Sequence, residues 1–329
     1  MAKHEFAQEI VVRVWRDVKK LGILPTGHFG HVSISLAGRQ FGRKVYISWW
    51  PGEGAGKGDA FRRQAGAAVA SHRMDMASEM SSSTREGLED GTFTPRRGQR
   101  QMTVYDEESG LSVETWGQEP DAKVRLPGLG ASGVYWGLSM TRMARWWAMS
   151  MSWNYYRLAS KSNSCAGMAG QALAIGGGRA FASGPSALAY LAPHDIEKWS
   201  LGIRGALSTL NLGTAEILIQ FRHAVSKGEL GGSVSAPSCD LWSLDAWKQH
   251  SAVRRATRSS TIRGIDGALA KYHRHHWDGD FQQKLKHLAE ITRLLIKHRN
   301  EKPDSKRRLA SLRLGKQVID VLKSPALSE

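Results

Sequence analysis

The sequence contains very little cysteine: Cys165 and Cys239 are the only two among its 329 residues. Two cysteines cannot build a disulfide-rich secreted scaffold, and they cannot supply an all-cysteine structural zinc site. The sequence also lacks an uninterrupted run of about 20 apolar residues, which is the length that a membrane-spanning helix requires. We therefore expect a protein that is made in the cytoplasm with reduced thiols and that has no membrane span.

A signal peptide is also missing from the first 20 residues. Arg13, Arg16 and Asp17 interrupt their apolar positions, so the continuous apolar core of a signal peptide does not occur there. If the protein leaves the cell, we expect a route that needs no cleaved signal.

Acidic residues are scarce relative to basic ones. Asp and Glu total 30 and Lys and Arg total 46, which gives a formal net charge of +16. This excess predicts an acidic partner, such as nucleic acid, anionic lipid, an acidic protein or a polyanionic cell wall. Residues 241–329 hold 19 Lys or Arg and 9 Asp or Glu, so ten of the 16 excess charges lie there. The hydrophobic share of 41% is sufficient for a buried core and excludes a disordered chain.

The first half of the sequence shows the period-two pattern of β-strands. His31, Ser33 and Ser35 alternate with apolar residues, which predicts a half-buried strand. A second strand follows at residues 45–50, so residues 29–50 are predicted to form a hairpin. Residues 10–14 fit either a helix or a strand. The other elements predicted here are a short helix at 60–76, strands at 101–105 and 111–116, and an extended segment at 120–127.

The second half of the sequence is predominantly helical in its pattern. Helices are predicted at 138–147 and 165–175, and three glycines at 176–178 end the second one. Amphipathic helical stretches follow at 194–210, 213–226, 244–256, 262–272 and 281–299. We predict three parts: residues 1–192 as one domain, residues 193–302 as a basic helical region, and residues 303–329 as a basic tail.

Cys165 stands at the start of a predicted helix, after three possible N-cap residues, Ser162, Asn163 and Ser164. Backbone N–H groups and the helix dipole at this position favour the thiolate, so we expect the pKa of Cys165 to lie below its ordinary value. The same N–H groups can stabilise an oxyanion. The alternative is a small packing residue among alanines.

A thiolate nucleophile needs a base beside it, and histidine is the usual one. His31 is a candidate because it shares a strand face with Ser33 and Ser35. An exposed strand histidine without a catalytic role is the alternative. His28, in the preceding loop, is the rival candidate.

Several short motifs occur in an order that resembles a known family. They are Gly30-His31-Val32-Ser33, Val45 to Pro51, Leu126 to Leu129, Trp146-Trp147, Asn154-Tyr155-Tyr156 and Asn163-Ser164-Cys165 with Gly176 to Gly178. Over residues 25–182 the chain resembles a circularly permuted papain-like family found among bacterial secreted effectors and toxins. The lecithin retinol acyltransferase group and permuted cell-wall peptidases share its order, in which the histidine strand precedes the nucleophile helix.

The resemblance implies an α+β fold in which a small antiparallel sheet packs on helices, and it makes residues 1–192 the catalytic domain. It assigns Cys165 as the nucleophile and His31 as the general base, and it gives Ser48 the role of orienting His31 or of lining the site. The expected activity is that of a cysteine peptidase or amidase that cleaves an amide through a thioester. Acyl transfer and glutamine deamidation use the same chemistry and stay open. No cofactor and no metal are expected.

The resemblance also implies partners and a location. The substrate would be a peptidoglycan peptide or a protein of a target cell. An antibacterial toxin of this kind would have an immunity protein, and delivery would use a secretion machine such as type VI secretion. We expect a protein that is made in the bacterial cytoplasm and secreted into a target cell.

Other residues allow weaker interpretations. Asp59, Asp106 and Glu114 are carboxylates that the fold could bring near the site. His273, His275 and His276 form a cluster that predicts a basic, pH-sensitive surface, and Cys239 is expected to be an ordinary thiol. From a different class, the chain could bind nucleic acid through its basic C-terminal helices, or it could be an inactive adaptor that keeps the fold.

Overall fold

The computed structural model describes residues 9–16, 30–38, 45–51, 69–73, 100–105, 112–117, 120–131, 134–149, 155–156, 164–185, 191–230, 281–300 and 305–322. These residues form helices and antiparallel sheets, as expected for an α+β chain. They divide into two compact units. The first unit comprises residues 1–126, 143–172 and 184–201, and the second comprises residues 127–142, 173–183 and 202–329.

A four-stranded sheet in the order β3-β2-β1-β8 organises the first unit. Its strands are β1 (Glu9–Trp15), β2 (His31–Ala37), β3 (Val45–Ile47) and β8 (Ala122–Pro127). Strands β2 and β3 pair antiparallel, which confirms the predicted hairpin, and β1 pairs antiparallel with β2. Residues 10–14, whose type the sequence leaves open, are therefore part of a strand.

One face of this sheet is apolar and the other is polar. On β2, the side chains of both faces are buried. Ile10, Val12 and Val14 of β1 are fully buried on one face, together with Val32, Ile34 and Leu36 of β2. The other face of β2 carries His31, Ser33 and Ser35, which are also buried. The prediction of a half-buried strand is therefore wrong, because the polar face is removed from solvent as well.

The other described strands form two smaller sheets. Strands β4 (Trp49–Pro51), β5 (Val69–Arg73) and β9 (Tyr155–Tyr156) form one sheet in the order β4-β5-β9. Strands β6 (Arg100–Tyr105) and β7 (Ser112–Gly117), both predicted as strands, pair antiparallel. The helix predicted over residues 60–76 is wrong at β5, because residues 69–73 pair as a strand with β4 and β9.

Five α-helices lie in the described residues: α1 (Met140–Met149), α2 (Cys165–Ile175), α3 (Pro193–Ser226), α4 (Phe281–Asn300) and α5 (Ser305–Leu322). The bounds of α2 match the prediction. Gly177 follows α2 with a φ of 99°, a left-handed conformation that glycine adopts without strain. The stretches predicted at 194–210 and 213–226 form one continuous helix. No helix in these parts of the chain is long and apolar enough to cross a membrane.

The segment that we predicted as a basic tail contains helix α5. Leu312, Leu314, Val318 and Ile319 of this helix are buried. A Cβ atom added to Gly315 would collide with the side chain of Ile217 on α3, so α5 approaches α3 closely. Residues 305–322 are therefore a packed part of the second unit. The helices predicted at 244–256 and 262–272 lie outside the described residues.

Asn211 on α3 fixes the segment before α1 within the second unit. Its Oδ1 atom accepts hydrogen bonds from the backbone N–H groups of Tyr135 and Trp136, at 2.8 and 2.9 Å. Its Nδ2 atom donates to the carbonyl oxygens of Trp136 and Leu207, at 2.8 and 2.9 Å. The Trp136 indole N–H donates to the hydroxyl of Thr214 at 2.9 Å. A single amide thus satisfies four backbone groups, and only an amide offers two donors and an acceptor in this shape.

We predict that Asn211→Asp lowers the free energy of unfolding by about 2 kcal/mol or more. The substitution removes both donors and places a carboxylate oxygen against two carbonyl oxygens. The matched control is Gln220→Glu, the same chemical change at a half-exposed site of α3, which should stay within about 0.5 kcal/mol of the parent. Urea denaturation followed by tryptophan fluorescence measures both. Equal effects of the two substitutions would contradict the role of Asn211.

Candidate active site

His31 begins β2 and contacts Ser48, which follows β3. The Nε2 atom of His31 lies 3.1 Å from the Ser48 hydroxyl oxygen, and the two side chains are 7% and 1% exposed. The alternation of β3 explains the contact, because Tyr46 and Ser48 project to one face and Ile47 to the other. The structure thus brings together two of the three residues that the resemblance assigns. The alternative of an exposed strand histidine is wrong, since His31 is buried.

Trp15 packs against the imidazole of His31. The two residues are direct partners in the antiparallel pairing of β1 and β2, and their ring centroids are 5.7 Å apart with an interplanar angle of 47°. The His31 ring is therefore held by a hydroxyl at Nε2 and by an indole on the adjacent strand. Two contacts of this kind restrict the orientation of the ring, which is what a general base requires.

The rest of the polar face of β2 is also hydrogen-bonded. The hydroxyl oxygens of Ser33 and Tyr46 are 2.7 Å apart. Arg13 donates from its guanidinium to the Ser35 hydroxyl at 2.8 Å, and the guanidinium carbon lies 5.9 Å from the centre of the Tyr46 ring. Burial of a serine row costs little stability when each hydroxyl has a partner.

Cys165 is the first residue of α2 and carries a buried, reduced thiol, 7% exposed. Ser164 caps the helix: its hydroxyl oxygen accepts a hydrogen bond from the N–H of Gly167 at 3.0 Å, and its carbonyl accepts from Met168 at 2.8 Å. The predicted N-cap is thus confirmed at Ser164. Residues 162 and 163 lie outside the described residues.

The position of Cys165 places the thiol in the first turn of α2, where the N–H groups of residues 165 and 166 have no carbonyl of their own helix to bind. Gly170 of the same helix lies against Leu191 and Ile196, since a Cβ atom added there would be 3.5 and 3.3 Å from their side chains. Residues 165–170 are all buried. Cys165, His31 and Ser48 all belong to the first compact unit.

Several other candidates fall outside the described residues. These are His28, Asp59, Asp106, Cys239 and the cluster of His273, His275 and His276. Glu114 lies on β7, of which only the backbone is described. In the parts of the chain that the structure describes, no group of His, Cys, Asp and Glu residues is arranged to hold a metal ion.

Sequence reasoning did not identify Trp15, Arg13 and Tyr46 as neighbours of the site. The signal that could have found them is the alternation of β1, in which Arg13 and Trp15 occupy the phase opposite to Val12 and Val14. Because the type of this segment stayed open, its polar face could not be matched with that of β2.

Comparison with known proteins places these residues in a family. The model of the IcsB middle domain matches residues 4–224, a span that contains His31, Ser48 and Cys165. Effector protein BopA of Burkholderia mallei (strain NCTC 10247) and that of Burkholderia pseudomallei (strain 668) are each 27% identical over 256 residues. The alignments cover 64% of this chain and 47% of each relative, so the chain spans about half the length of these curated relatives. No solved structure matches the chain.

We predict that Ser164→Ala lowers the free energy of unfolding by about 1 kcal/mol, whereas Ser164→Gly lowers it by only a few tenths of a kcal/mol. Glycine leaves room for a water molecule to bond to the Gly167 N–H, whereas the methyl group of alanine fills that space. Thermal unfolding measures the difference, and the alkylation rate of Cys165 should fall in the same order. If the serine contributed only packing, the larger volume loss in glycine would reverse the order.

Proposed function

The chain belongs to the family of the IcsB middle domain, and from this premise we propose that it is a bacterial effector whose first unit is a cysteine enzyme. Cys165 is the nucleophile, His31 is the general base and Ser48 orients His31. One observation carries the proposal: a buried histidine fixed by Ser48 and Trp15 belongs to the same compact unit as a buried cysteine at a capped helix N-terminus.

The proposed mechanism assigns the contact at Nε2 to the tautomer in which the His31 ring donates. When Nε2–H donates to the Ser48 hydroxyl, the neutral ring has its basic lone pair on Nδ1. Nδ1 therefore takes the thiol proton of Cys165 in the proposed reaction. The thiolate sulfur attacks an acyl carbon, and the N–H groups in the first turn of α2 stabilise the oxyanion.

The second half of the reaction breaks the bond to the leaving group. As the carbon–nitrogen bond of an amide breaks, protonated His31 gives its proton to the leaving amine, and the acyl group stays on Cys165 as a thioester. In a hydrolase, water then attacks the thioester with His31 as the base, which releases the acid and restores the thiol. The balance of protons needs no cofactor.

Acyl transfer is the second candidate, and the burial of His31 favours it. His31 is 7% exposed and packs against the Trp15 indole, so little bulk water reaches the base. A thioester that is shielded from water can persist until an amine or a hydroxyl of an acceptor attacks it. Deamidation would use the same intermediate.

The names of the relatives suggest which class of substrate this chain acts on. They are named as effectors, and an effector acts in another cell, so we propose a protein of the target cell as the substrate or acceptor. We also propose delivery into that cell by a secretion machine. Four expectations from the sequence stay predictions. They are the peptidoglycan substrate, the immunity protein, the type VI secretion route and the nucleic-acid-binding alternative.

We predict that Cys165 is alkylated by iodoacetamide with an apparent pKa below that of Cys239 in the same chain, because the helix N-terminus and His31 favour its thiolate. His31→Ala should slow alkylation of Cys165 near pH 6 by roughly tenfold and leave Cys239 unchanged. Mass spectrometry of the two cysteine peptides, from about pH 4 to about pH 10, measures both rates. Equal titration of both cysteines, with no effect of His31→Ala, would refute the proposal that this site is a cysteine enzyme.

We also predict that p-nitrophenyl acetate acetylates Cys165 in a rapid first turnover. The burst should be absent in Cys165→Ala and at least about tenfold slower in His31→Ala. A hydrolase returns to free thiol in water, whereas an acyltransferase keeps the acetyl group until an added amine removes it. Intact-protein mass spectrometry with and without glycine amide separates the two activities. Acetylation at Cys239 with equal speed would indicate unassisted thiol chemistry.

A further inference from the structure

The first turn of α3 holds the side chain of the residue that follows Trp15. Glu197 of this turn accepts two hydrogen bonds from the Arg16 guanidinium, one from Nε at 3.0 Å and one from a terminal nitrogen at 2.6 Å. The Glu197 side chain is 13% exposed, so the carboxylate is held by the helix that carries it. A bidentate contact fixes the direction of the two groups as well as their distance. Glu197 therefore ties the end of β1 to α3.

Asp121 holds the main chain of the same residue. The Arg16 N–H donates to the Asp121 carboxylate at 2.6 Å, and Asp121 directly precedes β8, the strand that lies beside β1 in the sheet. The chain is thus fixed immediately after Trp15. Trp15 is in turn the cross-strand partner of His31, with ring centroids 5.7 Å apart. One connected series of contacts therefore runs from Glu197 to His31.

The same turn of α3 also contacts the helix of the proposed nucleophile. Ile196 is fully buried, and a Cβ atom added to Gly170 of α2 would lie 3.3 Å from its side chain. Two reciprocal hydrogen bonds stabilise the turn. The Asp195 N–H donates to the Ala192 carbonyl at 3.0 Å, and the Ala192 N–H donates to the Asp195 carboxylate at 3.0 Å. All of these residues belong to the first unit. One braced turn therefore contacts both α2 and the end of β1.

We propose that Glu197 is a positioning residue for His31. Through Arg16 and Trp15, it holds the imidazole in place relative to α2, whose first residue is Cys165. This inference rests on the proposed function, because the position of the ring affects reactivity only if His31 is the base for Cys165. Glu197 itself takes no part in the bond changes.

The expected signature is a change in reactivity without a matching change in stability. A displacement of about 1 Å between reacting groups can change a rate by as much as about a hundredfold. A largely exposed ion pair contributes little to stability, and the Arg16 side chain is 55% exposed. Loss of the pair should therefore affect the site more than the fold.

The test measures iodoacetamide alkylation of Cys165 in Glu197→Ala, with Cys239 as the internal reference. Near about pH 6, the rate at Cys165 should fall at least about threefold, and its apparent pKa should move towards that of Cys239. The rate at Cys239 and the melting temperature should stay close to those of the parent protein. Glu197→Gln keeps an acceptor for Arg16, so it should retain part of the rate. It also remains informative if Glu197→Ala does not fold.

Glu9→Ala is the matched control. Glu9 begins β1, at the end of the strand opposite to Trp15, and its carboxylate accepts hydrogen bonds from Arg125 of β8 at 3.0 and 3.1 Å. This substitution removes the same chemical group and an ion pair on the same strand, away from His31. It should leave the rate at Cys165 unchanged. A loss equal to that in Glu197→Ala would contradict a specific role of Glu197.

A double substitution tests whether Glu197 acts through His31. In the His31→Ala background, Glu197→Ala should cause no further loss of the Cys165 rate, because the group that Glu197 positions is already absent. A second loss of the same size would show that Glu197 acts on α2 or on the fold, and it would overturn the inference.

An unchanged rate at Cys165 in the folded Glu197 variants would also overturn this inference. The proposed function would survive that result, provided that Cys165 of the parent protein still titrates below Cys239 and depends on His31. Equal titration of the two cysteines in the parent protein, with no effect of His31→Ala, would refute the proposed function itself.

Discussion

The register of β1 against β2 is the constraint on which the site depends. Because Trp15 lies opposite His31 and Arg13 lies opposite Ser33, the odd-numbered residues of both strands share one polar face. The buried residues Val12 and Ile34, which are also partners, lie on the other. A slip of one residue would turn polar residues into the apolar core and place apolar residues on the polar face. The free energy of burying the apolar face therefore fixes the geometry of the polar one.

The buried polar face is stable because its groups satisfy each other, and this restricts the chemistry. Ser48, the residue proposed to orient His31, carries no charge, so it stabilises an imidazolium less than a carboxylate would. In the proposed mechanism, the Cys165 thiolate supplies the negative charge for protonated His31. The nucleophile and the base then depend on each other for their charged forms.

Local patterns predicted the elements whose formation depends on local chemistry. The bounds of α2 follow from the Ser164 cap and the glycines after residue 175, and the hairpin follows from the alternation in β2. Local sequence patterns gave wrong predictions for elements whose structure depends on residues distant in the sequence. Strand β5 exists because β4 and β9 flank it, and the burial of the polar face of β2 depends on what covers it. Helix α5 was predicted as a tail because its charges obscured a buried apolar stripe. For the site, Cys165, His31 and Ser48 could be named, but Arg13 and Trp15 could not without the register.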